Sequence, residues 1–344
     1  MKPVVTVIEP EGPPEWFSCL NSVADVRFYV PDGPMKPETV SEILKSSRGV
    51  IITSATSVSA AQIDAAEGLG IIAKCGGPPS NVDIAHAEKS GVAVSCCPGA
   101  NTTSIAEYTV MLIIAMLRRF DLHISTVRQG KWRTPTTLLG HDLRGAVVGL
   151  VGLGAIGKEV LRRLEPFACS VLIYSPHAHR AQELPEGCRF VASLEEMLPQ
   201  CDAVTLHCKV TEQATGMFNK NMFQLMKQGA VFINTARGAL VNEEDLAAAL
   251  ETGRVGAAAV DVFQTEPPSA DNPLRQFQNA VLTPHSAGWT TEALWRECDG
   301  AARSALAFLT GTEIPGLLTP DYAKNKRVLR KETEKRWHIT HDLC

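Results

Sequence analysis

The stretch Val147-Val148-Gly149-Leu150-Val151-Gly152-Leu153-Gly154-Ala155-Ile156-Gly157 reads as an apolar strand that runs into a glycine turn and then into a helix starting near Lys158. A bare GxGxxG is a weak signal, and a glycine turn with no ligand is its plain structural alternative. The strand before it and the helix after it give each glycine a task. Gly152 permits the tight turn, Gly154 lets backbone approach a pyrophosphate, and Gly157 allows close packing of helix on strand. Ala155 and Ile156 complete the loop, and the helix N-terminus faces the phosphates. A dinucleotide, NAD or NADP, is the expected ligand. An acid usually meets the ribose 2′-hydroxyl about 20 residues further on. Here Ser175 stands at that place, followed by His177, His179 and Arg180. Losing the carboxylate removes repulsion against a 2′-phosphate, and a solvated loop with relaxed preference is the other reading, so the choice between NAD and NADP stays open.

Outward from this loop, apolar runs and helical stretches alternate. Runs at Val171 to Tyr174, Ala203 to His207, Val231 to Asn234, Ala257 to Val260 and Val281 to Leu282 are separated by helical stretches at Ser193 to Leu198, Asn219 to Met226 and Glu243 to Leu250. A βαβ series of this kind predicts an α/β fold with a doubly wound parallel sheet. Before it, Val4 to Ile8, Gly49 to Ile52 and Ile71 to Ala73 mark a first set of the same kind. A long amphipathic helix is expected from Thr103 to Arg119, and a final helix from Thr290 to Leu309. With 344 residues, two domains are expected.

The formal charge of -4 offers no broad basic field for nucleic acid. The longest apolar run, Val110 to Leu117, falls far short of about 18 residues, so no membrane span is expected. Ten cysteines include no CxxC pair, which suits neither a zinc site nor a spaced disulfide framework. Reduced thiols, no metal and a cytoplasmic location follow as expectations. The basic run past Pro320 is broken by Glu332 and Glu334 and reads as a solvated helix or a subunit contact.

Three segments place unusual polar residues directly after an apolar strand, where open α/β sheets bind ligands. They are Asn234-Thr235-Ala236-Arg237-Gly238, Asp261-Val262-Phe263-Gln264-Thr265-Glu266-Pro267-Pro268 and Thr283-Pro284-His285-Ser286-Ala287-Gly288-Trp289. An arginine fork suits a carboxylate, and a histidine suits proton transfer near neutral pH.

With the glycine loop, with Gly76-Gly77-Pro78-Pro79-Ser80-Asn81-Val82-Asp83, and with Pro98-Gly99-Ala100-Asn101 leading to Ala106-Glu107, these segments resemble the D-isomer-specific 2-hydroxyacid dehydrogenase family. That family includes phosphoglycerate, glycerate and hydroxypyruvate-type enzymes. The resemblance implies an NAD(P)-dependent oxidoreductase acting on a small 2-hydroxy or 2-oxo acid. It implies a Rossmann domain, 104–286, inserted into a flavodoxin-like substrate domain, 1–103 and 287–320, with a basic tail, 321–344. Arg237 would anchor the substrate carboxylate, His285 would serve as acid and base, and Glu266 would orient His285 and stabilise its protonated form. Cys208, Thr235, Ala236, Asp261, Gly288 and Ser175 would line the cofactor, and Gly76 and Gly77 would bind substrate through backbone N–H groups. A homodimer joined between the crossover helix and the glycine loop is implied too. A corepressor-like regulator that senses NAD(P)H is the alternative within the same fold. Formate-type members carry glutamine where Glu266 stands.

Overall fold

Strands that are buried at every position must be covered on both faces, which is what a parallel sheet between helices provides. The computed structural model describes residues 2–133, 138–176 and 184–324. His177, His179, Arg180 and the basic run from Lys326 to Arg336 lie outside the described residues. The chain divides into two compact units, one of Met1–Asn101 with the chain from Thr290 on, the other Thr102–Trp289.

In the first unit the strands are β1 (Val4–Ile8), β2 (Asp25–Tyr29), β3 (Gly49–Ile52), β4 (Ile71–Lys74) and β5 (Ala93–Ser95). They form one parallel sheet in the order β2-β1-β3-β4-β5, the flavodoxin-like order. Alternate residues take opposite faces. Val50, Ile52, Ile72 and Val94 pack with Val40 and Leu44 of α1 (Pro37–Ser46), Ile63 of α2 (Ala60–Ala65) and Ala87 of α3 (Ile84–Lys89). Val5, Val7, Ile51 and Ala73 meet instead Phe17, Leu20 and the Cys298, Ala301, Ala302 and Ala305 stripe of the final helix, Thr291–Thr310. Beyond that helix the chain returns along β5. Leu317 bridges Ser95 in antiparallel fashion, Leu318 N–H donates to Val94 O at 2.8 Å, and Val94 N–H donates to Thr319 Oγ1 at 2.9 Å.

The second unit begins with α4 (Thr102–Leu117) and α5 (Phe120–Arg128). Its strands are β6 (Val147–Val151), β7 (Ser170–Tyr174), β8 (Cys188–Phe190), β9 (Ala203–Leu206), β10 (Ala230–Asn234), β11 (Val255–Val260) and β12 (Ala280–Leu282). All are parallel, in the order β12-β11-β10-β9-β6-β7-β8, a Rossmann order with a seventh strand. Helices α6 (Ala155–Leu164), α7 (Leu194–Met197), α8 (Lys220–Leu225) and α9 (Glu243–Glu251) connect them, and the final helix of the chain is α10.

The helix expected from Thr103 to Arg119 differs from the expectation. Arg119 adopts a left-handed conformation, φ 50°, which ends α4 and starts a separate α5. Nor is α4 amphipathic: Ala106, Val110, Leu112, Ile113, Met116 and Leu117 are all buried, because it packs within a core beside β6 and α6. The other face of the sheet holds Phe218, Phe223 and Phe232, with ring centroids 5.0 and 5.3 Å from Phe232. Replacing Phe232 by Ala removes the shared member of this trio and should cost about 3–5 kcal/mol of stability, read as a lower urea midpoint with an unchanged slope. An unchanged midpoint would mean that the trio contributes little.

Candidate active site

Because all seven strands of the second sheet run the same way, the segments after β6, β7, β9, β10, β11 and β12 emerge along one edge. The glycine loop does there what its spacing requires. At Gly152, φ 98°, a Cβ would stand 2.7 Å from Cys208 N and from His207 O. At Gly157 a Cβ would meet Gly152 O at 2.3 Å, so only glycine lets α6 start so close to the turn. At Gly154, the residue that precedes α6, nothing lies within 4 Å of the Cβ position, which leaves room for a ligand to approach backbone. Ser175, after β7, turns its hydroxyl to this loop and accepts from Leu153 N–H at 3.3 Å.

After β9, His207 Nε2 lies 3.0 Å from Thr205 Oγ1. Although the residue keeps some exposed surface, packing around the ring pushes its pKa down to about 3, so the imidazole is neutral near pH 7. The Cys208 thiol is pushed up by burial and contacts Met217 Sδ at 3.9 Å.

After β10, Thr235 is buried with its hydroxyl 2.9 Å from that of Thr109 on α4. Asn234 shapes the next turn by accepting from Ala236 N–H and donating to Arg237 O, both at 3.0 Å. Arg237 itself is exposed, and its guanidinium donates to Ala236 O at 2.7 Å. At Gly238 a Cβ would fall 1.9 Å from Phe263 C, so this residue allows the arginine turn to lie against the loop that carries Glu266.

His285 and Glu266 are brought together: Nδ1 lies 2.7 Å from Oε2, with half of the histidine side chain exposed. The other oxygen, Glu266 Oε1, accepts from Phe263 N–H at 3.0 Å. A carboxylate only accepts, so Nδ1 carries the proton and Nε2 is free to exchange one with a ligand. His285 is also one of the few non-glycine residues in the left-handed region, φ 52°. Its conformation is held by Asp261, which has no exposed surface. Asp261 O accepts from His285 N–H at 2.8 Å. Its side-chain Oδ1 accepts from Thr283 Oγ1 at 2.6 Å and Ser286 N–H at 2.8 Å, and Oδ2 accepts from Ala287 N–H at 2.9 Å. Asp261 therefore builds the histidine loop, with both oxygens engaged by protein donors. Gly288, partly buried, follows that loop.

In the first unit, Gly76 has φ 90° and its carbonyl accepts from Cys97 N–H at 2.7 Å, while the space around Gly77 is open. Asn81 ties the same loop to Thr53 O at 3.0 Å, and Asp83 caps α3. Two residues that the motif reading passed over, Lys74 and Glu297, are buried beside Gly76. Glu297 had a signal: it shares the i, i+4 stripe of Ala293, Ala301 and Ala305, which is the buried face of α10.

Residues 110–287 match the family model described as D-isomer specific 2-hydroxyacid dehydrogenase, NAD binding domain. The chain is 37% identical over 268 residues to the D-3-phosphoglycerate dehydrogenase of Archaeoglobus fulgidus, covering 78% of this chain but only 50% of that relative. It is 38% identical over 251 residues to a formate dehydrogenase of Chaetomium thermophilum, covering 71% and 68%. With the glyoxylate reductase of Thermofilum pendens it shares 34% identity over 333 residues, 96% of each chain. Among solved structures, the TT0316 protein from Thermus thermophilus superposes with a TM-score of 0.83 at 32% identity, covering 91% of this chain and 99% of that one.

Asp261→Asn would set an N–H₂ against the donors that now converge on one carboxylate oxygen. A loss of about 1–3 kcal/mol is expected in urea unfolding, against less than about 0.5 kcal/mol for Asn at the exposed Asp271. Equal midpoints for the two variants would remove Asp261 from this positioning role.

Proposed function

The chain belongs to the D-isomer-specific 2-hydroxyacid dehydrogenase family, and from that premise we propose that it transfers a hydride between a nicotinamide dinucleotide and the carbon beside the carboxylate of a small 2-hydroxy or 2-oxo acid. The observation that carries this reading is the His285–Glu266 pair on the same sheet edge as the glycine loop and Arg237. The residues fit a dinucleotide: the positive φ of Gly152, the open Cβ position at Gly154 and the N-terminus of α6 together form an anion cradle. When bound, the nicotinamide ring supplies or accepts the hydride.

Arg237 holds the substrate carboxylate in its planar guanidinium fork, which fixes the neighbouring carbon and polarises its carbonyl. Nε2 of His285 donates a proton to the carbonyl oxygen during reduction and takes it back during oxidation. Glu266 keeps Nδ1 protonated and the ring oriented, and Asp261 positions the loop beneath it. Gly76 and Gly77 offer backbone N–H groups to the substrate, and Cys208, Thr235, Ala236 and Gly288 border the cofactor. Ser175 places no negative charge near the ribose, so NADPH is expected to serve beside NADH. Glu266 favours a hydroxy acid over formate as the substrate.

A second copy of the chain is the proposed partner. Phe120, Val127, Trp132 and Leu139 are exposed large apolar side chains in the segment between α4 and the glycine loop, Met111 is exposed on α4 itself, and α5 buries none of its residues. Light scattering should report a dimer that Val127→Asp shifts toward monomer; a wild-type monomer would remove this part of the reading.

The activity test compares NADPH and NADH with glyoxylate, hydroxypyruvate, pyruvate and a branched 2-oxo acid. Wild type should turn over at least one of them, while His285→Ala should lose at least about 100-fold in kcat and still bind cofactor. Cofactor binding without turnover of any 2-oxo acid would favour the NAD(P)H-sensing regulator instead.

A further inference from the structure

The amino edge of the first sheet holds a pocket that no part of the proposed reaction uses. Its volume is about 190 Å³, and every residue that lines it belongs to the first unit. An apolar cavity of about 150 Å³ already accepts a benzene-sized molecule, so the space suits a small ligand. Several walls come from residues placed just before strands: Arg48 precedes β3, Leu69 and Gly70 precede β4, and Val92 precedes β5. Gly76 lies past the other end of β4, so the pocket and the Gly76–Gly77 loop occupy opposite edges of this sheet. Phe308 and Gly311, at the carboxyl end of α10, and Tyr322 close the remaining side.

Arg48 is fixed from two directions. Its Nη1 donates to Gly68 O at 3.1 Å, and its guanidinium carbon lies 5.0 Å from the centre of the Phe308 ring. The Phe308 and Tyr322 rings are 6.4 Å apart, centre to centre. At Gly70 a Cβ would stand 2.2 Å from Phe308 Cζ and 2.9 Å from Arg48 Cζ, so glycine is what lets the cation and the ring meet over the start of β4. Packing accounts for these contacts, but not for the hollow beside them or for the charges around it. Glu67, exposed after α2, brings a carboxylate to the same pocket, and α10 ends there with the negative end of its dipole. One wall is therefore cationic and another anionic, while Ile63, Leu69 and Val92, all buried, supply an apolar floor.

We propose that this pocket binds a small α-amino acid with an apolar side chain. The ligand carboxylate meets Arg48, whose guanidinium carries several N–H donors in one plane and can hold Gly68 O and a carboxylate together. The ligand ammonium faces Glu67 and the carboxyl end of α10, and the ligand side chain covers the apolar floor. The two signs of charge decide against simpler ligands. A plain carboxylate would meet Glu67 and the negative end of the helix, and a plain amine would meet Arg48. The inference stands apart from the 2-oxo acid reading, because none of the groups assigned to that reaction lines the pocket.

Titration calorimetry on the full chain, with L-leucine as the probe, tests this. A single saturable site per chain is expected. The analogue 3-methylbutylamine, which lacks the carboxylate, should bind at least about tenfold more weakly, and 4-methylpentanoate, which lacks the ammonium, at least about threefold. Arg48→Gln should weaken L-leucine by about tenfold or more. Because Arg48 also packs on Phe308, the exposed Glu67 provides the second variant: Glu67→Gln should weaken L-leucine about two- to fivefold and leave 4-methylpentanoate no weaker. Arg237→Ala should leave L-leucine binding unchanged. No saturation by L-leucine up to about 10 mM overturns the inference. So does an affinity that Glu67→Gln leaves untouched, or binding that is lost in Arg237→Ala, which would place the ligand with the proposed substrate instead.

Discussion

The buried carboxylate of Asp261 is the contact on which the candidate catalytic geometry depends. It leaves β11 at the sheet edge and gathers Thr283, Ser286 and Ala287, while its own carbonyl takes the His285 N–H. A histidine at positive φ has no local reason to stay there, since its side chain crowds the backbone in that region. The surrounding donors over-determine the loop and so hold the ring facing Glu266. Sheet order, strand length and the closed core of the second unit matter to the site because they fix where Asp261 stands.

Around that post, two further contacts brace the neighbouring turns. Glu243, buried at the start of α9, accepts from Gln264 N–H and from Asn272 Nδ2, each at 2.7 Å, and so ties both ends of the loop that carries Glu266. Gly238 lets the arginine turn pass against Phe263, where any side chain would collide with backbone. The arginine, the glutamate and the histidine therefore come from three strands, yet they share a rigid support. Proton transfer benefits from such pre-set geometry because little reorganisation remains for the reacting state.

Much of this was legible in the chain. Continuous apolar runs announced β6, β9, β10 and β11, because strands buried on both faces cannot alternate with polar residues. The edge strands were harder: β2 reads Asp25–Tyr29 with its charged residues exposed, and β8 has only Cys188–Phe190. The break at Arg119 left no pattern, since no glycine or proline marks it. Residue type and placement after a strand singled out the segments that hold Arg237, Glu266 and His285, and the family resemblance supplied their roles, but that Glu266 meets Nδ1 in particular, and that Asp261 spends both oxygens on its neighbours, needed three dimensions. Glu297 shows the opposite failure: its buried helical register was visible, and it was passed over because no motif surrounds it.

The return of the chain along β5 has a consequence in time. Until Leu317–Thr319 arrives, β5 presents unpaired N–H and C=O groups, the kind of strand edge that recruits other chains. Val94 and Thr319 are 225 residues apart, so at roughly 5–20 residues per second a ribosome needs roughly 10–45 s to supply the cover. α10, which closes one face of the same sheet, is made only shortly before it. The second unit, contiguous in sequence, can complete its core during that interval, while the stretch up to Asn101 waits on the nascent polypeptide with one edge and part of one face uncovered. The unit that is translated first is thus the last to finish folding.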